Sequence, residues 1–278
     1  MRIETVTSAQ NPKIKNLLLL QEKSRARREQ GLFVVEGRRE LEHCLEAGFT
    51  VRTVFVCPDL AAPEGIGLPG ASTLFLAPGR PIPSGDIPLI VEIPEALYRK
   101  VAYRESTEGI IAEVECRNIG LEDLDLPEHP LVVVLESVEK PGNLGAVLRS
   151  ADAARADAVI VCDPLTDLWN PNLVRASLGG IFTVPTVAAT SEETIAWLRA
   201  HGIRILTAQL QDSSWYYDVD MTVGTALVMG TESTGLTDIW RRAADAHIRI
   251  PMLGRLDSLN VSVSAAILLF EAVRQRNA

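Results

Sequence analysis

The chain has 278 residues, 47% hydrophobic and 23% charged, ordinary globular proportions that bury a core without disulfide or metal staples. It has no apolar run of about 18 residues and no apolar stretch after Met1-Arg2-Ile3-Glu4, so a membrane span and a secretion signal are not expected and the cytoplasm is. The net charge of −9 speaks against a nucleic-acid partner, yet residues 1–40 hold nine Lys and Arg against five Asp and Glu, and a local basic patch can bind phosphates on an acidic protein.

Taken in order, residues 12–28 have a helical pattern, 33–37 read as a short strand, and 38–47 as a helix stopped by Gly48. Residues 51–57 are a strand of β-branched and aromatic residues, 58–88 are rich in proline and glycine, and 109–114 form a closing strand. Strands alternating with helices predict an α/β layer in residues 1–117. The acidic, proline-bearing stretch 118–130 interrupts the pattern and is the expected linker.

A second domain, 131–278, opens on the apolar run 131–135, which suits a strand buried on both faces of a parallel sheet. Helix 143–156, strands 158–161 and 182–184, helix 191–201, strands 203–206, 226–229 and 247–250, and helix 261–274 follow. Such a β-α-β series predicts a parallel sheet. Cys44, Cys57, Cys116 and Cys162 lie far apart with no C-x-x-C pair, against a zinc ribbon or dithiol site. No metal cluster is visible.

Gly65 to Gly70 fits G-x-G-x-x-G, but Pro69 and the poor helix start after it make this a plain loop, not a dinucleotide site. Three segments of the second domain stand out. In residues 136–149, Pro141 and Gly142 make a turn, Asn143 is a good helix cap, and Arg149 lies nearly two turns further on. Spacing alone leaves Arg149 as either a helix-surface charge or a functional cation. In 228–236 a strand ends in a loop with two glycines around Glu232, and glycine permits close backbone approach to a ligand. In 250–266 a strand ends in an irregular loop, with Ser258 or Asn260 placed to cap a helix rich in Ser, Ala and Val.

Together the pieces N-L-G-A-V-L-R at 143–149, G-T-E-S-T-G-L at 230–236 and I-P-M-L-G-R-L-D-S-L-N-V-S-V at 250–263 resemble the SpoU/TrmH family of RNA ribose 2′-O-methyltransferases, of the SPOUT superfamily. Residues 8–15 and 27–40 resemble the ribosomal-protein-like substrate-binding domain often attached to it. One departure is Thr231, where the family often has Asn. The resemblance implies a C-terminal parallel α/β sheet with a deep trefoil knot, which sequence rules would not propose, and a smaller N-terminal α/β domain. It implies S-adenosylmethionine as methyl donor, contacted by Met229, Gly230, Ile250 and Leu259, with Thr231, Met252, Ser258 and Asn260 close by. Arg149, Asn143 and Glu232 are the implied catalytic residues. An arginine keeps its proton in almost any protein environment, so Arg149 is expected to hold an RNA phosphate or stabilise the forming alkoxide.

Lys13, Lys15, Lys23, Arg25, Arg27, Arg28, Arg38 and Arg39 are the expected phosphate contacts, which position RNA without reading it. Ribosomal RNA is the expected substrate, with transfer RNA the alternative, and the family implies a homodimer. A non-catalytic RNA-binding protein on the same fold would be favoured by a broken donor loop or a missing Arg149, and an oxidoreductase by a true glycine fingerprint; neither is present.

Overall fold

The computed structural model describes residues 2–61, 73–77, 80–83, 89–103, 108–231 and 234–277. The chain divides into two compact units, Met1–Arg117 with Trp169–Arg175, and Asn118–Leu168 with Ala176–Ala278.

In the first unit the elements run β1 (Arg2–Thr5), α1 (Pro12–Glu22), α2 (Ser24–Gln30), β2 (Leu32–Glu36), α3 (Arg38–Glu46), β3 (Val51–Val56), α4 (Pro58–Ala61), β4 (Thr73–Ala77), β5 (Arg80–Pro83), β6 (Leu89–Glu92), α5 (Glu95–Val101) and β7 (Ile110–Glu115). Five strands form a sheet in the order β1-β6-β3-β7-β2, with β7 antiparallel to both neighbours; β4 and β5 pair separately. Ile14, Leu17 and Leu20 of α1 pack with Val34, Phe55, Val91 and Ile111 of the sheet and with Leu97, Tyr98 and Val101 of α5. The helix expected over 12–28 is two helices, broken where Lys23 turns extended (φ −109°, ψ 109°). Arg27 serves the break. Its buried guanidinium donates to Leu20 O at 2.6 Å and Gln21 O at 3.2 Å, satisfying carbonyls at the end of α1 that have no helical partner. Trp169 stacks on Phe33, with ring centroids 4.5 Å apart.

In the second unit the elements are β8 (Leu131–Glu136), α6 (Pro141–Ala153), β9 (Ala158–Cys162), α7 (Pro171–Ser177, shared with the first unit), α8 (Gly180–Thr183), β10 (Thr186–Ala189), α9 (Ser191–Ala200), β11 (Arg204–Ala208), β12 (Ser214–Trp215), β13 (Thr225–Met229), α10 (Asp238–Ala243), β14 (Ala246–Arg249) and α11 (Val261–Arg276). All seven strands are parallel, in the order β10-β9-β8-β13-β11-β14-β12. One face of β8 and β9 (Val132, Val134, Ala158, Ile160) packs with Ile195 and Leu198 of α9 and Trp240 of α10. α11 packs against α6 and β13. The stretch 118–130, expected as a linker, belongs to this unit, and its Leu121, Leu124 and Leu126 pack against that core.

Strand β14 sits between β11 and β12. The residues joining β11 to β12 therefore straddle it. Two local expectations change. Residues 182–184 end a helical turn, and the strand begins after Pro185, at Thr186. Asn143 is not the cap of α6: Lys140 takes that place, with Pro141 in the first turn, where its missing N–H costs nothing. The four cysteines are free, and burial pushes the Cys162 thiol up to about 12, too high for a nucleophile. Among the described residues no helix is long and apolar enough to cross a membrane.

Candidate active site

Ligands of open α/β sheets sit beyond the carboxyl ends of the strands, and three such ends meet in the second unit. The loops after β11, β13 and β14 enclose a cavity of about 350 Å³. Met229, Gly230, Thr231, Ile250, Met252, Ser258 and Leu259 all line it, as do Gly235, Leu236 and, from α11, Val261 and Ser264. These include seven of the eight residues expected to form the donor site, the four expected contacts among them. The eighth, Asn260, caps α11 directly behind them, its side-chain oxygen accepting from Ser262 N at 3.0 Å.

The loop after β13 closes on itself. Thr231 O accepts from Gly235 N at 3.0 Å, and Thr231 Oγ1 accepts from Thr234 N at 3.1 Å. A Cβ on Gly230 would lie 2.3 Å from the carbonyl carbon and oxygen of Gly235, so only glycine fits. The departure from Asn at position 231 has a simple account, because a threonine hydroxyl and an asparagine amide oxygen take the same backbone N–H. Beyond the loop, Thr237 donates from its N–H (2.9 Å) and its hydroxyl to Glu136, a buried carboxylate at the end of β8. That pair ties the motif loop to the sheet.

Asn143, in the first turn of α6, accepts from Asn260 Nδ2 at 3.2 Å, which joins the first and third motifs. The helix holding Asn143 is packed unusually close: a Cβ on Gly145 would lie 2.5 Å from Ala176 Cβ. Arg149 is exposed further along α6 and is not one of the cavity-lining residues. Glu232, like the 65–70 loop, lies outside the described residues. Sequence reasoning missed Gln209, Leu210, Gln211, Arg241 and Asp257, which also line the cavity. The loop after β11 has no motif, and it reaches the cavity because β11 lies beside β13 and β14 in the sheet.

The basic residues of the first unit divide. Lys15, Lys23, Arg25, Arg28 and Arg39 are exposed, Arg25 beside Glu29 at 2.6 Å and Arg28 donating to Ser24 Oγ at 2.8 Å. Lys13 is half-buried and pairs with Glu4 at 2.8 Å, and Arg38 is half-buried and donates to Ala61 O. Arg27 corrects the expectation: its exposure is 3% and its donors are turned to the carbonyls of α1, so it is not placed to meet a phosphate.

Comparison with known proteins agrees with this layout. Residues 130–270 match the family described as SpoU rRNA Methylase, and residues 11–112 match the MRM3-like substrate binding domain. The chain is 31% identical over 260 residues to a 23S rRNA (uridine(2479)-2'-O)-methyltransferase of Streptomyces viridochromogenes, covering 90% of this chain and 85% of that one. It is 26% identical to the 23S rRNA (guanosine(2553)-2'-O)-methyltransferase RlmP of Bacillus subtilis, over 96% of this chain and 98% of the relative. A crystal structure of AdoMet-bound rRNA methyltransferase from Sinorhizobium meliloti superposes with a TM-score of 0.84 at 31% identity, covering 98% of each chain. The matched family model spans half of the sequence, and the parallel sheet with a separate N-terminal α/β region is the fold of these relatives; the chain belongs to the SpoU rRNA methylase family.

Proposed function

We propose that this protein methylates a ribose 2′-hydroxyl of ribosomal RNA in the cytoplasm, with S-adenosylmethionine as donor. One observation carries the reading: residues from two separate motifs line a single cavity at the strand ends. Its volume, about 350 Å³, falls in the range of small-molecule sites. Met229, Leu236, Ile250 and Leu259 offer apolar surface for an adenine, and the closed Gly230–Gly235 turn presents backbone groups beside it. When bound, S-adenosylmethionine supplies an electrophilic methyl group on a sulfonium.

The protein's own residues do the rest. Asn143, held by Asn260, ties the RNA-side helix α6 to the donor loop and fixes their spacing; alignment of this kind supplies much of the barrier reduction in a transfer between two bound groups. Arg149 acts as a fixed cation, holding the neighbouring phosphate or stabilising the alkoxide as the hydroxyl loses its proton. Glu232 is assigned to holding RNA or donor, on the family resemblance alone. The exposed Lys15, Arg25, Arg28 and Arg39 of the first unit engage the phosphate backbone, together with Lys13 and Arg38. The relatives' names carry a uridine and a guanosine, so the base is left to the RNA fold to specify. The working form is a homodimer.

Transfer of tritiated methyl from S-adenosylmethionine to purified ribosomal and transfer RNA tests this. Ribosomal RNA is labelled; Arg149→Ala abolishes labelling and leaves donor binding within about twofold. Full activity of that variant would refute the role of Arg149.

A further inference from the structure

Gln209 follows β11 and lines the donor cavity. Its backbone N–H donates to Ile248 O at 3.0 Å, and its side-chain Nε2 donates to Gln211 O at 2.9 Å. The second bond fixes the amide orientation, since the opposite one would set two acceptors against each other. The remaining atom, Oε1, is buried and takes no hydrogen bond among the described residues. A buried acceptor left without a donor is costly, and native structures keep few of them without a use. This one belongs to a residue that lines a ligand cavity. A neutral carbonyl suits a neutral donor, because a cation withdrawn from water needs a counter-charge that an amide lacks.

We infer that Gln209 Oε1 accepts a hydrogen bond from the adenosyl part of the methyl donor, from a ribose hydroxyl or the adenine amine, and sets the selectivity of the cavity. The inference rests on the donor-site reading above. Apolar walls such as Met229, Ile250 and Leu259 admit any flat base of suitable size, whereas a buried polar atom rejects an analogue that leaves it unpaired. Gln209 is thereby a specificity residue for the donor and takes no part in the transfer step.

Gln209→Met keeps the side-chain length and removes the acceptor. Calorimetric titrations use S-adenosylhomocysteine, S-inosylhomocysteine (oxygen in place of the adenine amine) and the 2′- and 3′-deoxyribose analogues, on the unaltered protein and on Gln209→Met. Gln209→Met is expected to bind S-adenosylhomocysteine about tenfold more weakly. One analogue, the one lacking the true donor group, is expected to bind the unaltered protein about tenfold more weakly and to lose nothing further in the variant. Unchanged affinity in Gln209→Met overturns the inference. So does an unaltered protein that binds all the analogues equally, a comparison that does not depend on the variant folding. An unaltered protein that binds no S-adenosylhomocysteine at all is a different result: the donor-site reading falls, and this inference with it.

Discussion

Gly230→Ala places one methyl group where the loop after β13 leaves no room. The added carbon would lie 2.3 Å from Gly235 C and O and 2.6 Å from Leu236 N, whereas ordinary contact begins near 3.4 Å. The two limbs of the loop must therefore part by about 1 Å, and both are backbone, so no side-chain rotation relieves the clash. Overpacking of this kind costs about 1–3 kcal/mol, and the upper end applies where backbone itself must move. If the sheet absorbs it, the melting temperature falls by roughly 6–12 °C, at about 2–4 °C per kcal/mol for a chain of this size. If the loop absorbs it by opening, the Gly235 N–H to Thr231 O bond and one cavity wall are lost, and affinity for S-adenosylhomocysteine falls by about 100-fold, the equivalent of some 3 kcal/mol. Scanning fluorimetry and calorimetric titration of the same preparation read both. A variant with unchanged melting temperature and affinity within twofold would refute the claim that Gly230 is required by this closure.

Thr231→Asn should keep donor affinity within about twofold, while Thr231→Val, which cannot accept from Thr234 N, should weaken it by about 0.5–1.5 kcal/mol; equal behaviour of the two variants in a titration contradicts the shared role of hydroxyl and amide. Arg27→Met should lower stability by roughly 2–3 kcal/mol in urea unfolding, because carbonyls at the end of α1 lose charged donors, and should leave the salt dependence of RNA binding unchanged. Arg39→Ala should do the reverse, keeping stability and reducing the slope of log affinity against log salt by about 1; a swap of these two results refutes the division of the basic residues. Burial raises the Glu113 carboxyl above its ordinary value, opposed by hydrogen bonds from Asn16 and Thr53. A raised folded pKa favours the protonated form, so this stabilisation is present at low pH and lost as pH rises through the folded value. Glu113→Gln stays neutral and can still accept from Asn16, so its melting temperature should gain on the unaltered protein between pH 4 and pH 8. A gap that does not change with pH contradicts this.

What the sequence reveals depends on whether a residue's task is local. The β8 run L-V-V-V-L-E is buried at every position, and continuous apolarity is itself the mark of a strand covered on both faces. A cap for α11 is legible too, because capping acts within three residues, although the sequence offers both Ser258 and Asn260 and it is Asn260 that takes the place. Residues 182–184 are misleading: a short apolar β-branched run fits a buried helical turn as well as a strand, and Pro185 delays the strand to Thr186. β1 carries a mostly exposed R-I-E-T and gives no apolar signal. At the site, the loops of β13 and β14 carry their own glycine and capping signatures. The loop of β11 carries none, and Gln209 joins the cavity through topology, because β11 lies between β13 and β14. Arg27 shows the limit of reading charge as surface: a guanidinium on α2 can turn inward and serve the carbonyls at the end of α1.

The central claim is that the acceptor is a ribose 2′-oxygen of RNA. Alkaline hydrolysis of RNA needs that oxygen free to attack the adjacent phosphate, so methylation there protects one linkage. Ribosomal RNA labelled by the protein with tritiated methyl, then digested to completion in alkali, should carry its label in alkali-resistant dinucleotides. Label recovered in mononucleotides would place the methyl group on a base and contradict the account.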